Sequence, residues 1–344
     1  MAITAILTSF VISLGLGGLV LKFFPKLNLM DNPKRYGHDR EPIPYPGGIA
    51  PLLAILTSLL IFLPFEGPVI AVMTGALLLA LTCFVDDRKG LSPFLRLGVQ
   101  FLSGALLVIG GIGVSSISNP LGGTIPLDQL SWVFDLGSLS LTLTLLADLV
   151  TVLWVMVMIN AFNWIDGVPG MTSSVSAVAA LVLLLLSVRP DFHYLDQTLA
   201  ITLSSVILGA SLAFLIFDFP PPKMLMGDTG SMLLGFFLAV TAIISGGKIA
   251  TTILILGFPI LDFIWVIVRR LLKGQSPFKG DLWHFHHRFL KAGYKPWQIV
   301  VFFSGTAAVF GALSLLLQTE GKALAFAGIL GVMLLLAGIL YRKV

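Results

Sequence analysis

The chain has 344 residues, of which 57% are hydrophobic and 11% charged, and its mean hydropathy is +0.99. These values exclude a soluble globular protein and indicate an integral membrane protein. The net charge of +4 is weak evidence for nucleic acid, and no nucleic-acid partner is expected, because the basic residues flank apolar segments where lipid headgroups and substrate phosphates are nearer partners.

Eleven hydrophobic segments follow one another, each close to the ~20 apolar residues that span a bilayer. They are Ala2–Leu21, Gly48–Leu63, Val69–Val85, Leu95–Val114, Leu143–Ile159, Met171–Val188, Leu199–Phe217, Ser231–Ser245, Ile249–Val268, Ile299–Leu317 and Ala323–Leu340. The polar stretches between them are too short for a separate core, so residues 1–344 are expected to form a single polytopic membrane domain. The predicted fold is all-α, with about eleven transmembrane helices.

The basic residues predict the orientation of these helices. If the N-terminus lies outside, every lysine and arginine except Arg189, Lys248 and Lys322 falls in cytosolic loops. The positive-inside rule strongly favours this orientation. Those loops also hold the acidic clusters described below, so the predicted active site is on the cytosolic face.

The first acidic cluster is Asp86-Asp87, in the string FVDDRKG at the end of the third segment. Carboxylates at a helix C-terminus meet the unfavourable end of the helix dipole, so stability alone does not explain two of them. The pair could bind a divalent cation, or one member could accept a proton. The alternative is a solvated helix end.

A small outer hairpin is predicted between the fourth and fifth segments. The loop there contains no lysine or arginine, and the Gly122-Gly123 turn precedes the alternating run Thr124–Leu130. Such alternation after a glycine turn is typical of a β-hairpin.

The second cluster is NAFNWIDGVPG, residues 160–170. Asn160, Asn163 and Asp166 are spaced by three, so a continuing helix would align them on one face. The pattern predicts a polar stripe at a membrane edge. The alternative is a capped turn between two helices.

The third cluster is KMLMGDTGS, with Lys223 before a turn and Asp228 near the start of the eighth segment. Thr229 or Ser231 could cap that helix, whose free N–H groups would then suit a phosphate. An ordinary N-cap is the alternative for Asp228 alone.

The fourth cluster is HFHHRF, which holds His284, His286, His287 and Arg288 in the most basic loop. Helical zinc sites usually pair histidines four residues apart, so this spacing disfavours zinc. Imidazole and guanidinium groups are good donors to phosphate oxygens, so nucleotide or phosphate binding is the favoured interpretation.

Together, metal-seeking carboxylates and phosphate-seeking cations at a membrane surface predict phosphoryl transfer to a lipid. The alternative is a cation-coupled secondary transporter, whose binding site would lie near the bilayer midplane. Only Asp262 is expected to lie deep in the membrane, where a charge is costly enough to suggest a functional or ion-pairing role. The other carboxylates lie at segment ends, which favours chemistry on a headgroup.

The strings FVDDRKGLSP, NAFNWIDG, MGDTGS and HFHH, in that order, closely resemble the polyprenyl-phosphate N-acetylhexosamine-1-phosphate transferases, in particular their bacterial WecA/TagO-like branch. The resemblance covers nearly the whole chain. It implies transfer of N-acetylhexosamine 1-phosphate, most often N-acetylglucosamine 1-phosphate from UDP-N-acetylglucosamine, to undecaprenyl phosphate, with release of UMP. This reaction would be the first membrane step of cell-surface polysaccharide assembly.

The resemblance also implies Mg²⁺, or Mn²⁺ in its place, a multi-pass location in the bacterial inner (plasma) membrane, contact with membrane lipid, and a homodimer as a possible assembly. It implies catalytic roles for Asp86, Asp87, Asp166 and His284, and metal binding by Asp228 and Asp166. It implies substrate binding by Lys34, His38, Asn160, Asn163, Lys223, His286, His287 and Arg288. Pro169, Asp218 and Leu282 depart from the family pattern. The departures at Pro169 and Leu282 leave UDP-N-acetylgalactosamine or another N-acetylhexosamine donor open.

Overall fold

The computed structural model describes residues 1–36, 40–119, 123–136, 139–189, 196–246, 249–276 and 283–343. These residues form thirteen α-helices, one 3₁₀ turn at Pro33–Tyr36 and two small β-hairpins. The helices are α1 (Ala2–Phe23), α2 (Ile49–Phe62), α3 (Gly67–Lys89), α4 (Pro93–Ile109), α5 (Leu145–Ile165), α6 (Met171–Ser187), α7 (Thr198–Asp218), α8 (Asp228–Ile244), α9 (Ile249–Ile255), α10 (Gly257–Leu272), α11 (Phe285–Lys291), α12 (Pro296–Leu316) and α13 (Thr319–Lys343).

Helix length and composition suit a membrane. Among the described residues, α1, α3, α5, α7, α12 and α13 are long and apolar enough to cross one, and the bent pair α9 and α10 makes a seventh candidate. Helices α2, α4, α6 and α8 are apolar but shorter. Large apolar side chains on the outer helices are exposed, such as Ile3 (72%) and Leu335 (71%), as expected for surfaces that face lipid.

The prediction of one continuous helix over Ile249–Val268 is wrong. Helices α9 and α10 meet at an angle of 83°. Pro259 has no N–H to donate to the carbonyl of Ile255, so the helix cannot continue through this point.

Helix α8 is the centre of the fold. It packs against α2, α3, α5, α6 and α7, and residues 229–243 are all buried. Gly235 allows a close approach to α5: a Cβ atom there would lie 2.6 Å from the carbonyl oxygen of Met158. Because α8 is held this tightly, its first residue, Asp228, has a defined position beside the ends of α3 and α5.

The loop between α4 and α5, predicted to lie outside, forms two hairpins, one more than predicted. Strands β1 (Ser116–Ser118) and β2 (Thr124–Pro126) are antiparallel, as are β3 (Ser131–Leu136) and β4 (Leu139–Thr144). The expected strand Thr124–Leu130 therefore ends at Pro126, and the predicted fifth segment begins with β4, so α5 starts at Leu145. Gly122 of the expected turn lies outside the described residues.

Candidate active site

The Asp87 side chain caps the N-terminus of α8. Its Oδ1 accepts the backbone N–H of Asp228 (2.9 Å), and its Oδ2 accepts the N–H (3.0 Å) and the hydroxyl (2.6 Å) of Thr229. The Tyr45 hydroxyl donates to Oδ1 at 2.5 Å. Burial raises the pKa of Tyr45 well above its ordinary value, as do the charges of Asp87, Asp228 and Asp166, so Tyr45 stays protonated and keeps donating.

The predicted phosphate site at this helix N-terminus is therefore wrong. Neither Thr229 nor Ser231 caps α8, and a carboxylate from α3 accepts the N–H groups that were expected to bind phosphate. The same contact explains why Asp87 is tolerated in the last turn of α3: the unfavourable dipole of that helix is offset by the favourable N-terminal dipole of α8.

Arg96 joins the first cluster to the second and third. Its guanidinium lies 2.9 Å from Asp86 Oδ2 and 2.9 Å from Asp228 Oδ2, and donates to Asn163 Oδ1 at 3.1 Å. The Asn163 amide in turn donates to Asp228 Oδ1 at 2.7 Å. The four side chains, which come from α3, α4, α5 and α8, thus form one hydrogen-bonded network.

Sequence reasoning did not identify Arg96, and it also missed Gln100 one helical turn later. The Gln100 and Asn160 amides bond to each other, at 2.6 Å from Asn160 Nδ2 to Gln100 Oε1. A signal was present, because Arg96 and Gln100 are polar residues four apart within an apolar segment, and such residues usually face the interior of a membrane protein.

The predicted stripe of Asn160, Asn163 and Asp166 is only partly confirmed. Helix α5 carries both asparagines toward α4 and α8 but ends at Ile165. Asp166 is the residue after the helix, and its Oδ1 instead accepts the Thr172 hydroxyl of α6 at 2.7 Å.

Burial raises the pKa of Asp166 well above its ordinary value, and the charges of Asp218, Asp228 and Asp87 raise it further, while the bond from Thr172 opposes the shift. Asp166 therefore lies within the electrostatic reach of the other clusters, in a region of concentrated negative charge.

The histidine loop packs against the end of α5. The rings of His284 and His286 are nearly parallel with centroids 5.5 Å apart, and His287 is 4.2 Å from His286. His286 is buried, and neither of its ring nitrogens has a hydrogen-bond partner. A Cβ atom on Gly167 would lie 2.1 Å from His286 Nε2, so only glycine fits beside Asp166 at this point.

Burial lowers the pKa of His286 well below its ordinary value, and the neighbouring His287 and His284 lower it further. His286 is therefore a neutral imidazole.

The remaining predicted binding residues are not joined to this network. Lys34 and Lys223 have exposed side chains, and among the described residues neither makes an ion pair. Arg288 is buried and donates to the Ala337 carbonyl of α13 at 3.2 Å. Its guanidinium lies 5.8 Å from the centre of the Trp283 ring. His38 lies outside the described residues.

The carboxylates have the donor chemistry that Mg²⁺ prefers. Asp228, Asp166 and Asn163 offer oxygen atoms in a region of concentrated negative charge. Within the described part of the chain, no three His, Cys, Asp or Glu side chains form a metal-binding group. Mg²⁺ in phosphoryl-transfer sites is usually held by one or two carboxylates together with substrate phosphates and water. The residues therefore fit a hard divalent cation that binds together with a phosphorylated substrate.

Comparison with known proteins places this site in a family. Residues 69–246, about half of the chain, match the family model described as glycosyl transferase family 4. The chain belongs to glycosyl transferase family 4. The matched range contains the first three clusters, and the histidine loop lies beyond it.

Curated relatives of this glycosyl transferase extend the match beyond that range. A decaprenyl-phosphate N-acetylglucosaminephosphotransferase of Mycobacterium leprae is 29% identical over 329 residues, which cover 86% of this chain and 78% of the relative. A probable undecaprenyl-phosphate N-acetylglucosaminyl 1-phosphate transferase of Bacillus subtilis is 27% identical over 85% of this chain and 78% of its own length.

The undecaprenyl-phosphate alpha-N-acetylglucosaminyl 1-phosphate transferase of Escherichia coli K12 is 28% identical over 86% of this chain and 78% of its own length. The resemblance inferred from the motifs is thus confirmed, and the chain is a membrane glycosyl transferase. These relatives give no support to the secondary transporter.

Proposed function

We propose that the protein transfers N-acetylglucosamine 1-phosphate from UDP-N-acetylglucosamine to undecaprenyl phosphate and releases UMP, as the first membrane step of cell-surface polysaccharide assembly. A bond forms between an oxygen of the lipid phosphate and the sugar-bearing phosphorus of the donor. The bond from that phosphorus to the bridging oxygen breaks, and UMP leaves with the electron pair. The names of the relatives support both the acceptor class and the sugar.

One observation carries this proposal: a single arginine, Arg96, joins Asp86 of the first cluster to Asp228 of the third. Both bonds are charge-assisted, and a planar guanidinium can serve two carboxylates at once. The result is a compact acidic site at the ends of apolar helices, which suits a reaction between a water-soluble anion and a lipid phosphate.

The hydrogen bonds suggest different roles for the two adjacent carboxylates. Asp87 accepts four hydrogen bonds, about as many as a carboxylate can accept, so its role is to hold α8 and Tyr45 in place. Asp86 accepts the Leu91 N–H at 2.6 Å and contacts Arg96, so among the described residues it accepts fewer backbone and hydroxyl hydrogen bonds than Asp87. Asp86 is therefore the better candidate to receive a proton from the lipid phosphate.

The UDP-sugar donor is assigned to the histidine loop and to the asparagines of α5. His284, His286 and His287 would line the diphosphate, and Asn160 and Asn163 would lie near the nucleotide. Asp228, with Asp166, would hold Mg²⁺, or Mn²⁺ in its place. When bound, the ion would offset negative charge on the donor diphosphate. Lys34, His38, Lys223 and Arg288 remain predicted substrate-binding residues that would act from the surrounding loops.

The finer topology is part of the proposal. The chain would be one domain, residues 1–344, with about eleven membrane-crossing segments, an outside N-terminus and the site on the cytosolic face of the bacterial inner membrane. The distribution of lysine and arginine supports this orientation. A cysteine at Arg88 should react only with membrane-permeant reagents, and one at Thr124 also with impermeant ones. Labelling of position 88 from outside intact cells would contradict the orientation. A homodimer stays a prediction.

The reaction is tested with purified protein, undecaprenyl phosphate and a panel of radiolabelled UDP-sugars. The expected result is a labelled lipid from UDP-N-acetylglucosamine together with one equivalent of UMP, and no product from Asp86→Asn. A lipid labelled only from UDP-N-acetylgalactosamine would correct the donor. The absence of any labelled lipid from active, folded preparations would refute the proposal.

A further inference from the structure

A buried acid–imidazole pair lies beside the site, and its acid, Asp262, has no role in the chemistry described above. Asp262, only 1% exposed, has its Oδ2 2.9 Å from Nδ1 of His284, and its Oδ1 accepts the backbone N–H of Phe285 at 3.2 Å. His284 is itself only 7% exposed. One carboxylate therefore binds both the ring and the backbone of the histidine loop.

The break between α9 and α10 is what brings this carboxylate to the loop. After the 83° bend, Asp262, Val266 and Arg270 follow at intervals of four and form the buried face of α10. A Cβ atom on Gly257 would lie 2.6 Å from a methyl group of Ile329, so the bend is packed closely against α13. The position of Asp262 is thus determined by the rigid framework and not by the loop it binds.

The contacts leave one ring nitrogen of His284 for other partners. A carboxylate only accepts hydrogen bonds, so Nδ1 carries a proton and donates to Asp262. The Trp164 indole packs against the His284 ring in a T-shaped arrangement, with centroids 5.1 Å apart, and the His286 ring stacks parallel to it, with centroids 5.5 Å apart. Ring position and rotation are restrained, and within the described part of the chain Nε2 is the ring nitrogen that remains to meet a ligand.

Trp164 also ties this imidazole to the acidic network. It follows Asn163 directly in α5, and Asn163 contacts both Arg96 and Asp228. A displacement of the His284 ring would therefore change its distance from Asp228, which is proposed to hold the metal ion beside the donor diphosphate.

We propose that Asp262 is a positioning residue for the transfer reaction: it acts through His284, whose Nε2 it directs toward the donor diphosphate. The inference rests on the proposed function, because it needs the diphosphate as the partner of Nε2. Groups that orient metal-ligating histidines commonly contribute about 10- to 100-fold to metal affinity or activity, and an effect of similar size is expected for the orientation of His284.

The test is a double-mutant cycle of Asp262→Asn and His284→Ala, with kcat/KM for UDP-N-acetylglucosamine as the readout. Asp262→Asn is expected to lower kcat/KM at least tenfold, and His284→Ala by more. The double variant should lie within about twofold of His284→Ala, because Asp262 has nothing to position once the ring is gone. Asp148→Asn is the matched control: Asp148 lies in the first turn of α5, at the end opposite Trp164, and its replacement should leave kcat/KM unchanged.

Additive losses in the double variant would overturn the inference, because they would mean that Asp262 acts independently of His284. Asp262→Glu, which keeps the charge, is carried through the same cycle in case Asp262→Asn is not recovered folded. Loss of folded protein with both variants would show that the carboxylate serves stability, and would also overturn the inference. Inactivity of the parent protein would instead count against the proposed function.

Discussion

Replacing Arg96 by lysine tests the network that joins the acidic clusters. Lysine keeps the positive charge but has a single ammonium group in place of the planar fork, so it cannot hold two carboxylates and an amide in the same geometry. In the structure, Arg96 is 2.9 Å from both Asp86 and Asp228 and 3.1 Å from Asn163 Oδ1. The lysine is expected to keep one carboxylate and release the other.

The contacts of Arg96 indicate how much free energy is lost when lysine replaces it. A hydrogen bond to a charged group contributes about 1.5–3 kcal/mol. The Arg96 and Asp228 side chains are 27% and 25% exposed, so solvent screening places the loss near the lower value, about 1.5 kcal/mol. If the same energy is lost in the transition state, kcat/KM falls about tenfold, since 1.4 kcal/mol corresponds to a factor of ten.

The measurement combines thermal unfolding in detergent with initial rates of lipid labelling. Arg88→Lys is the control, because Arg88 lies in the last turn of α3, beside Asp86, but has an exposed side chain. Arg96→Lys should lower both the unfolding temperature and kcat/KM, and Arg88→Lys should change neither. If the two variants behave alike, the bridging role of Arg96 is refuted.

Three further predictions concern the metal, the histidines and the helix contacts. Asp228→Asn should abolish transfer but leave a folded protein, and EDTA should abolish parent activity until Mg²⁺ or Mn²⁺ is added; restoration by zinc alone would contradict the oxygen-ligand site. Burial lowers the pKa of His286 in the folded protein below its value in the unfolded chain, so the unfolded state binds more protons as pH falls. The contribution of His286 to the free energy of unfolding is therefore fully present above about pH 6.5. Below that pH the free energy of unfolding falls by up to about 1.4 kcal/mol per pH unit. His286→Phe should therefore flatten the fall in unfolding temperature between pH 7 and 5.5, and an unchanged slope would refute the assignment. Gly48→Ala should destabilise the protein by about 1–3 kcal/mol, because its Cβ atom would lie 2.3 Å from Gly230 Cα, whereas Gly98→Ala, with open space around it, should be neutral or stabilising in the same unfolding assay.

Much of this protein was predictable because its signals are local. Apolar run length predicted where the helices lie, and a helix forms within each of the eleven segments. The spacing of Asn160 and Asn163 predicted that they share a face. Leu139–Thr144 also alternates apolar and polar residues, and it follows the aromatic and β-branched run Trp132–Phe134 across Gly137, so the second hairpin could have been predicted as well.

The motif strings alone determined the family and the clusters of chemistry-bearing residues, because those are properties of residue type and order along the chain. Only the tertiary structure decided which groups meet. Asp87 accepts N–H groups of a helix that begins 141 residues later, and Arg96 contacts three residues from three other helices. The pairing of Asp262 with His284 depends on an 83° bend. Such partnerships follow from how helices pack in three dimensions, and hydrophobic periodicity reports only which face of each helix is apolar.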